Sequence, residues 1–201
     1  MIITLTSERD EIILAMKKIL IITSHPNKDS LTFQNANITE KKALESGIEV
    51  TRIEASDLPL MGKNLSSAEK DLLEKTKNSL LNSDYIAIFT PLWNFGLPGA
   101  LKNFLDVSIV ARLHFRFRKF GIPQGLIKAK CVYIFYTSGT SEFAIRVFPF
   151  ISALVWNLKL IFFMCGVKKF KVYHLGSVEK GKTKKEDIEK WFKKIAKVDF
   201  K

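Results

Sequence analysis

The chain is poor in the residues that mark a disulfide scaffold, a metal centre or a secreted precursor. It has two cysteines in 201 residues, Cys131 and Cys165, both inside apolar runs. Neither stands at a metal-ligand or redox spacing, so both are expected as reduced core thiols of a cytoplasmic protein with no metal site. The N-terminus lacks a basic segment ahead of an apolar core, so no secretory signal is expected. No internal repeat, low-complexity tract or linker rich in Pro, Gly or Ser is present. With 47% hydrophobic residues, these absences predict one globular domain with a sizeable core.

Acidic residues are also short, 20 against 32 Lys and Arg, which leaves a net charge of +12. Such a balance suits nucleic acid, an anionic membrane surface or acidic substrates. The acids are interspersed among the lysines, as on solvated helix faces. No RNA-binding or helix-turn-helix signature is present, so no nucleic-acid partner is expected. Val147 to Cys165 is long enough for a membrane span, but it contains Pro149, Asn157 and Lys159. A charge near mid-span costs about 3 kcal/mol on insertion scales. A buried or interface helix is expected there, and no membrane span.

Residues 1–15 precede Met16-Lys-Lys. They are either an extension from an upstream start codon or a short extra element, and no function is assigned to them. Residues 16–201 read as one domain.

Short apolar runs predict five strands: Ile19–Thr23, Ile48–Ile53, Tyr85–Phe89, Cys131–Tyr136 and Phe170–Leu175. The second alternates apolar and polar, as nearer a sheet edge. A helix is predicted from Leu31 to Ser46, with Asp29 or Ser30 as cap and Gly47 as stop. Ser66-Ser-Ala-Glu69 and Thr183-Lys-Lys-Glu186 are capping-box patterns opening two more. Gly99 to Val110 reads as another. Ile188, Trp191, Phe192 and Ile195 give the last helix one apolar face. Ala111 to Lys128 reads as irregular, with alternating Phe and Arg. Alternating strands and helices predict an α/β fold, a three-layer doubly wound parallel sheet. No G-x-G-x-x-G and no Walker loop follows any strand. The first strand's loop is built from Ser and Thr instead, so the flavodoxin-like order 2-1-3-4-5 is predicted, with a ligand at the carboxyl ends of the strands.

Three strand-end segments carry a resemblance. They are Ser24-His-Pro-Asn-x-x-Ser-Leu-Thr32; Pro91-Leu-Trp-Asn-Phe-Gly-Leu-Pro98, followed by Leu101-Lys-Asn-Phe-Leu-Asp106; and Thr137-Ser-Gly-Thr140. On these segments the chain resembles the flavodoxin-like NAD(P)H:quinone oxidoreductases and the FMN-dependent azoreductases, from about Met16 to the final helix. The resemblance implies that His25, Ser30, Leu31 and Thr32 bind the FMN phosphate and ribityl chain. Neutral donors at a helix start suit a dianion, and Ser30 and Thr32 can cap the helix as well. It implies that Pro91, Leu92, Trp93, Asn94 and Phe95 wrap the isoalloxazine ring, and that Thr137, Ser138, Gly139 and Thr140 approach it from the next strand. Filling core is the plainer reading of these aromatics.

The sequence departs from its relatives at Thr140, where a second glycine is common. It also has no counterpart, among Ser141 to Val147, of the Tyr and His that relay protons in some quinone reductases. No catalytic acid or base is named, since the flavin carries the hydride. The implied activity is two-electron, ping-pong reduction of quinones, azo or nitroaromatic compounds by NAD(P)H. The chain is shorter than many FAD-binding relatives, so FMN is expected over FAD. The family also implies a homodimer. The apolar stretch Phe143–Cys165 fits an interface, and Arg116 and Arg118 are candidates to meet the nicotinamide cofactor across it. The alternative is a regulatory or auxiliary flavoprotein with little turnover. A flavodoxin-type carrier fits less well, since those are acidic.

Overall fold

The computed structural model of the chain describes residues 16–179 and 183–200. The segment 1–15 lies outside the described residues. In chain order the elements are β1 (Lys18–Thr23), α1 (Leu31–Glu45), β2 (Glu49–Glu54), α2 (Ser67–Asn82), β3 (Tyr85–Pro91) and α3 (Gly99–Ser108). There follow β4 (Phe115–Phe117), β5 (Pro123–Gly125), β6 (Cys131–Thr137), α4 (Glu142–Val147), α5 (Ala153–Met164), β7 (Phe170–Leu175) and α6 (Lys185–Ala196). Five strands form one parallel sheet in the order β2-β1-β3-β6-β7, while β4 and β5 make a separate antiparallel pair. The predicted doubly wound order is therefore the observed one.

The central strands read as unbroken apolar runs because both faces are covered. Leu20, Ile22, Ile86, Ile88, Val132 and Ile134 face one layer, where Leu80 of α2, Leu101 and Phe104 of α3 and Leu158 and Phe162 of α5 pack on them. Ile19, Ile21, Ala87, Phe89, Tyr133 and Phe135 face the other, against Ala36 and Ala43 of α1 and Trp191 and Ile195 of α6. Each fully buried Leu, Ile or Phe contributes about 1.5–3 kcal/mol by leaving water. On the second face Phe89 stacks on Phe135 at 4.5 Å and Phe135 on Tyr173 at 4.8 Å. Trp191 donates from Nε1 to Asn35 Oδ1 at 3.1 Å, joining α6 to α1.

Helix starts follow the sequence in two cases. Ser30 caps α1 and Gly47, at φ +70°, follows its end. Ser66 and Glu69 close the capping box of α2 in both directions. The second expected box does not form. Lys184 is the N-cap of α6 and makes no side-chain cap bond. Thr183 Oγ1 turns back instead, accepting from Glu179 N at 2.8 Å and donating to Glu179 O at 3.0 Å. A hydroxyl that can close a local turn is lost to the helix.

Two further expectations need correction. The apolar stretch Val147–Cys165 is not one helix. Pro149, without an N–H, sits in a 3₁₀ turn (Pro149–Ser152) between α4 and α5. Among the described residues no helix is long and apolar enough to cross a membrane. The segment from Ala111 to Lys128 is not wholly irregular, since Phe115–Phe117 pairs with Pro123–Gly125. The root of that hairpin is fixed by His114, fully buried, whose Nε2 meets Lys77 O at 2.9 Å.

The registers level the strand ends. Thr23 pairs with Phe89, Pro91 with Thr137, and Thr137 with Leu175. The loops after β1, β3, β6 and β7 therefore leave from one edge of the sheet.

Candidate active site at the carboxyl edge of the sheet

The loop after β1 starts with Ser24 N–H donating to Phe89 O at 2.9 Å. Asn27 organises the rest. Its Oδ1 accepts from Asp29 N at 2.8 Å and its carbonyl from Ser30 N at 3.2 Å. His25 Nδ1 accepts from Asn27 N at 3.0 Å, which turns the imidazole over the loop. Ser30 Oγ accepts from Phe33 N at 3.4 Å, and Gln34 N–H reaches Ser30 O at 3.0 Å. Among the described residues the amides of Leu31 and Thr32 have no acceptor. Two N–H groups at a helix start, with the helix dipole behind them, form a place for an anion.

The loop after β3 is held by Leu92 N–H, which donates to Thr137 O at 2.8 Å. Pro91 and Leu92 are buried, and the Leu92 side chain packs into the core. Trp93, Asn94 and Phe95 stand out, with Trp93 45% and Phe95 59% exposed. Gly96 N–H closes the turn on Trp93 O at 2.9 Å. Its central residues, Asn94 and Phe95, lie at φ +48° and +62°. Both are left-handed, which is cheap for Asn and costly for Phe.

The loop after β6 carries Thr137 and Ser138, both buried, then exposed Gly139 and half-buried Thr140. Ser138 Oγ donates to Thr140 O at 2.9 Å and lies 2.8 Å from His174 Nε2.

These loops meet. His25, Ser30, Leu31, Thr32 and Thr137 line a cavity of about 430 Å³. His25 packs edge-on to Trp93, with 5.5 Å between ring centroids, which links the aromatic turn to this cavity although none of Pro91 to Phe95 lines it. Not every expected residue offers its side chain. That of Leu92 belongs to the core, and that of Ser138 points back to β7. The far wall comes from Val178, Glu179, Thr183 and Ile188, none of them named as a site residue by sequence reasoning. They follow β7 and open α6, where the capping-box pattern pointed to a helix start and not to a ligand. A second cavity of about 580 Å³ shares Thr183 and is lined by Lys184, Lys190, Lys194, Glu142 and Asp187.

The chemistry of this edge is that of neutral donors beside one aromatic turn. Lys28 is drawn to Glu54 at 3.3 Å. Burial, with Glu54 beside it, raises the Asp57 carboxyl above its ordinary value. Ser24 Oγ is buried at the head of the loop without a partner. Two open amides, a free hydroxyl and a cavity of this size fit a phosphorylated, flat-ringed ligand. Among the described residues no cluster of His, Cys, Asp or Glu could hold a metal.

A family model described as "Flavodoxin-like fold" matches residues 17–198. The chain belongs to this flavodoxin-like fold family. It is 33% identical over 109 residues to an FMN-dependent NADH:quinone oxidoreductase of Thiobacillus denitrificans, a match over 47% of this chain and about half, 53%, of that one. It is 29% identical over 167 residues to an FMN-dependent NADH:quinone oxidoreductase of Mycoplasmoides gallisepticum, covering 72% of this chain and 85% of that one. In structure it is similar to an FMN-dependent NADH-azoreductase of Bacillus anthracis in complex with FMN. The TM-score is 0.72 at 18% identity, over 90% of this chain and 96% of that one.

Proposed function

We propose that the chain is an FMN-dependent NAD(P)H oxidoreductase acting on quinones, azo or nitroaromatic compounds. The observation that carries the reading is the junction of three loops at one edge. The helix-start amides of Leu31 and Thr32, the Thr137 strand end and His25 stand around one cavity, and Trp93 packs edge-on against His25. FMN fits better than FAD, because the groups that can receive a phosphate sit at a single helix start. The names of the relatives, which specify FMN and NADH, support the same choice.

In this reading His25, Ser30, Leu31 and Thr32 hold the phosphate and ribityl chain. Pro91 to Phe95 hold the ring, with Pro91 and Pro98 stiffening the turn. The Leu92 amide is committed to Thr137 O, so its role is to lock two walls together and not to meet the ring. Thr137 to Thr140 close the other side. When bound, FMN supplies the redox chemistry, accepting a hydride from NAD(P)H and passing two electrons to the acceptor. The protein contributes placement and exclusion of water, and donor and acceptor occupy one site in turn.

A homodimer completes the site in this reading. Phe143, Phe150, Trp156, Leu160 and Phe163 are each more than half exposed along α4, the 3₁₀ turn and α5. Apolar cover on this scale marks an interface. The hairpin arm carries Arg116 and Arg118, whose Nε atoms share Gln124 Oε1 at 2.9 and 3.0 Å. That pairing leaves the rest of each guanidinium for an anionic nicotinamide cofactor at the partner's site. No membrane or nucleic-acid partner is proposed, and the proposed location is the cytoplasm.

The test is anaerobic stopped-flow mixing of the flavin-loaded protein with NADH and with NADPH. Bleaching of flavin absorbance by at least one is expected, followed by recovery on adding a quinone. Failure of both to bleach it would sink the reading.

A further inference from the structure

The end of β7 grips the loop after β6. Ser138 N–H donates to Leu175 O at 3.1 Å, Val178 N–H to Ser138 O at 2.9 Å and Ser177 N–H to Thr140 O at 3.1 Å. The two backbones touch at Gly176. A Cβ there would come within 2.7 Å of Thr140 O and of Glu142 N, and 3.1 Å of His174 Cε1. One side-chain contact joins this clamp. Ser138 Oγ gives its single proton to Thr140 O at 2.9 Å and meets His174 Nε2 at 2.8 Å. With the hydroxyl proton committed, the imidazole must be the donor, which fixes the Nε2–H tautomer. The His174 ring is also stacked on buried Tyr136, 4.3 Å between centroids and 12° between planes. Its plane is thereby set by β6 before it reaches Ser138.

We infer that His174 is a positioning residue of the cofactor site: its Nε2–H, given to Ser138 Oγ, sets the backbone of Thr137 to Thr140 and so the affinity of the site for FMN. The inference rests on the reading of that loop as a flavin wall. His174 does not touch the proposed ring; it acts through Ser138. Its surroundings keep it an uncharged donor. Burial pushes its pKa below the ordinary value, Lys194 of α6 adds to that, and Glu142 of α4 opposes it. The clamp also bears on Thr140, where the resemblance led to the expectation of a second glycine. The carbonyl of residue 140 is held twice, by Ser138 Oγ and by Ser177 N–H, so the loop is fixed without a glycine there.

The test is a titration of the flavin-stripped full chain with FMN, read by flavin fluorescence. It compares the parent with His174→Ala, His174→Gln, Ser138→Ala and the Ala/Ala double variant. A Gln amide N–H can replace the imidazole donor, whereas Ala cannot. His174→Ala and Ser138→Ala are expected to weaken FMN by about 10-fold. The double variant is expected to be no weaker than Ser138→Ala, because loss of the hydroxyl already removes the bond that His174 makes. His174→Gln is expected to return to within about 3-fold of the parent. Unchanged affinity in His174→Ala, additive losses in the double variant, or equal losses in Gln and Ala each overturn the inference. If His174→Ala does not fold, His174→Phe, which keeps a ring on Tyr136 and lacks the donor, takes its place: a loss supports the inference and no change overturns it. A parent chain that does not bind FMN overturns the functional reading, and this inference with it. A parent that binds while the variants bind equally well overturns the inference only.

Discussion

His25 meets Trp93 edge-on, 5.5 Å between ring centroids and 61° between planes. The pair joins the loop after β1 to the loop after β3, and neither ring is buried in the core. Trp93 is 45% exposed, so its removal should change fold stability by no more than about 0.5 kcal/mol. Its proposed work is at the ring of the cofactor, where an aromatic contact contributes about 0.5–1.5 kcal/mol. Trp93→Ala is therefore expected to weaken FMN by roughly 3- to 10-fold with an unchanged urea midpoint. An unchanged FMN affinity would remove Trp93 from the site.

Ser30 has two tasks that can be separated. It caps α1 through a long bond of 3.4 Å to Phe33 N, and it lines the cavity. Ser30→Ala removes both, and Ser30→Asp keeps the cap while placing a negative charge where the phosphate is proposed. The Ala variant should lose about 0.5–1 kcal/mol of stability, the low end for a weak cap. The Asp variant should unfold like the parent yet bind FMN far more weakly. Equal FMN affinity in parent and Ser30→Asp would place the phosphate elsewhere.

Most of the frame was legible in the sequence, and the failures have local causes. β1, β3 and β6 announced themselves because burial on both faces fills the middle of each with consecutive apolar residues. The pair β4–β5 did not, since three-residue strands carry no period to read. Pro149 was in plain view inside the apolar stretch, and its missing N–H is what divides α4 from α5. Thr183 had the right spacing from Glu186 for a cap, but a nearer turn took its hydroxyl. At the site, the motif loops could be read because each is continuous in the chain. The wall made by Val178, Glu179, Thr183 and Ile188 and the contact between Ser138 and His174 could not. Both exist only because β7 is laid beside β6 in the sheet. The left-handed φ of Phe95 had no signal either, since no glycine marks it.

The apolar face of α5 makes a separate prediction. Leu154, Leu158 and Phe162 are buried inward, while Trp156 and Leu160 are 62% and 61% exposed on the outside. Charges on the outer positions should leave the core alone. Trp156→Asp with Leu160→Asp is expected to turn a dimer into a monomer in sedimentation velocity at micromolar concentration, with little change in thermal midpoint of the monomer. A parent that already sediments as a monomer would refute the proposed dimer.

His114 predicts an acid-sensitive fold. It is fully buried, its Nδ1 accepts from Val110 N at 3.1 Å and its Nε2 faces Lys77 O at 2.9 Å. One acceptor and one donor describe a neutral ring, and burial, the largest influence, pushes its pKa below the ordinary 6.5. A depressed pKa means that the unfolded state takes up the proton first. The stability His114 contributes is therefore complete above pH 6.5 and is lost as pH falls from there through its lower folded value. His174, also lowered by burial, acts in the same direction. The urea midpoint should fall as pH is lowered below about 6.5, and His114→Asn should flatten that slope at the cost of lower stability at neutral pH. A parent midpoint that holds constant across that window would contradict the neutral-ring assignment.

The steepest expected loss is at Gly125, where β5 backs onto the end of α5. That end is a Schellman turn: Val167 N–H donates to Phe162 O and Gly166 N–H to Phe163 O, each at 3.0 Å, with Gly166 at φ +105°. Ile127 N–H adds a bond to Cys165 O at 3.0 Å, so the hairpin is pressed against the turn. A Cβ at position 125 would lie 2.0 Å from Cys165 C and Gly166 N, both backbone atoms, and no rotamer change can relieve that. Gly125→Ala must therefore part the hairpin from α5, and a loss of about 3 kcal/mol or more is expected in urea unfolding. Gly47 is the control. It lies at φ +70° with open space around the added carbon, so Gly47→Ala meets only the left-handed penalty, about 1 kcal/mol. Comparable losses at the two positions would mean that the contact between β5 and the α5 turn is not close-packed in solution.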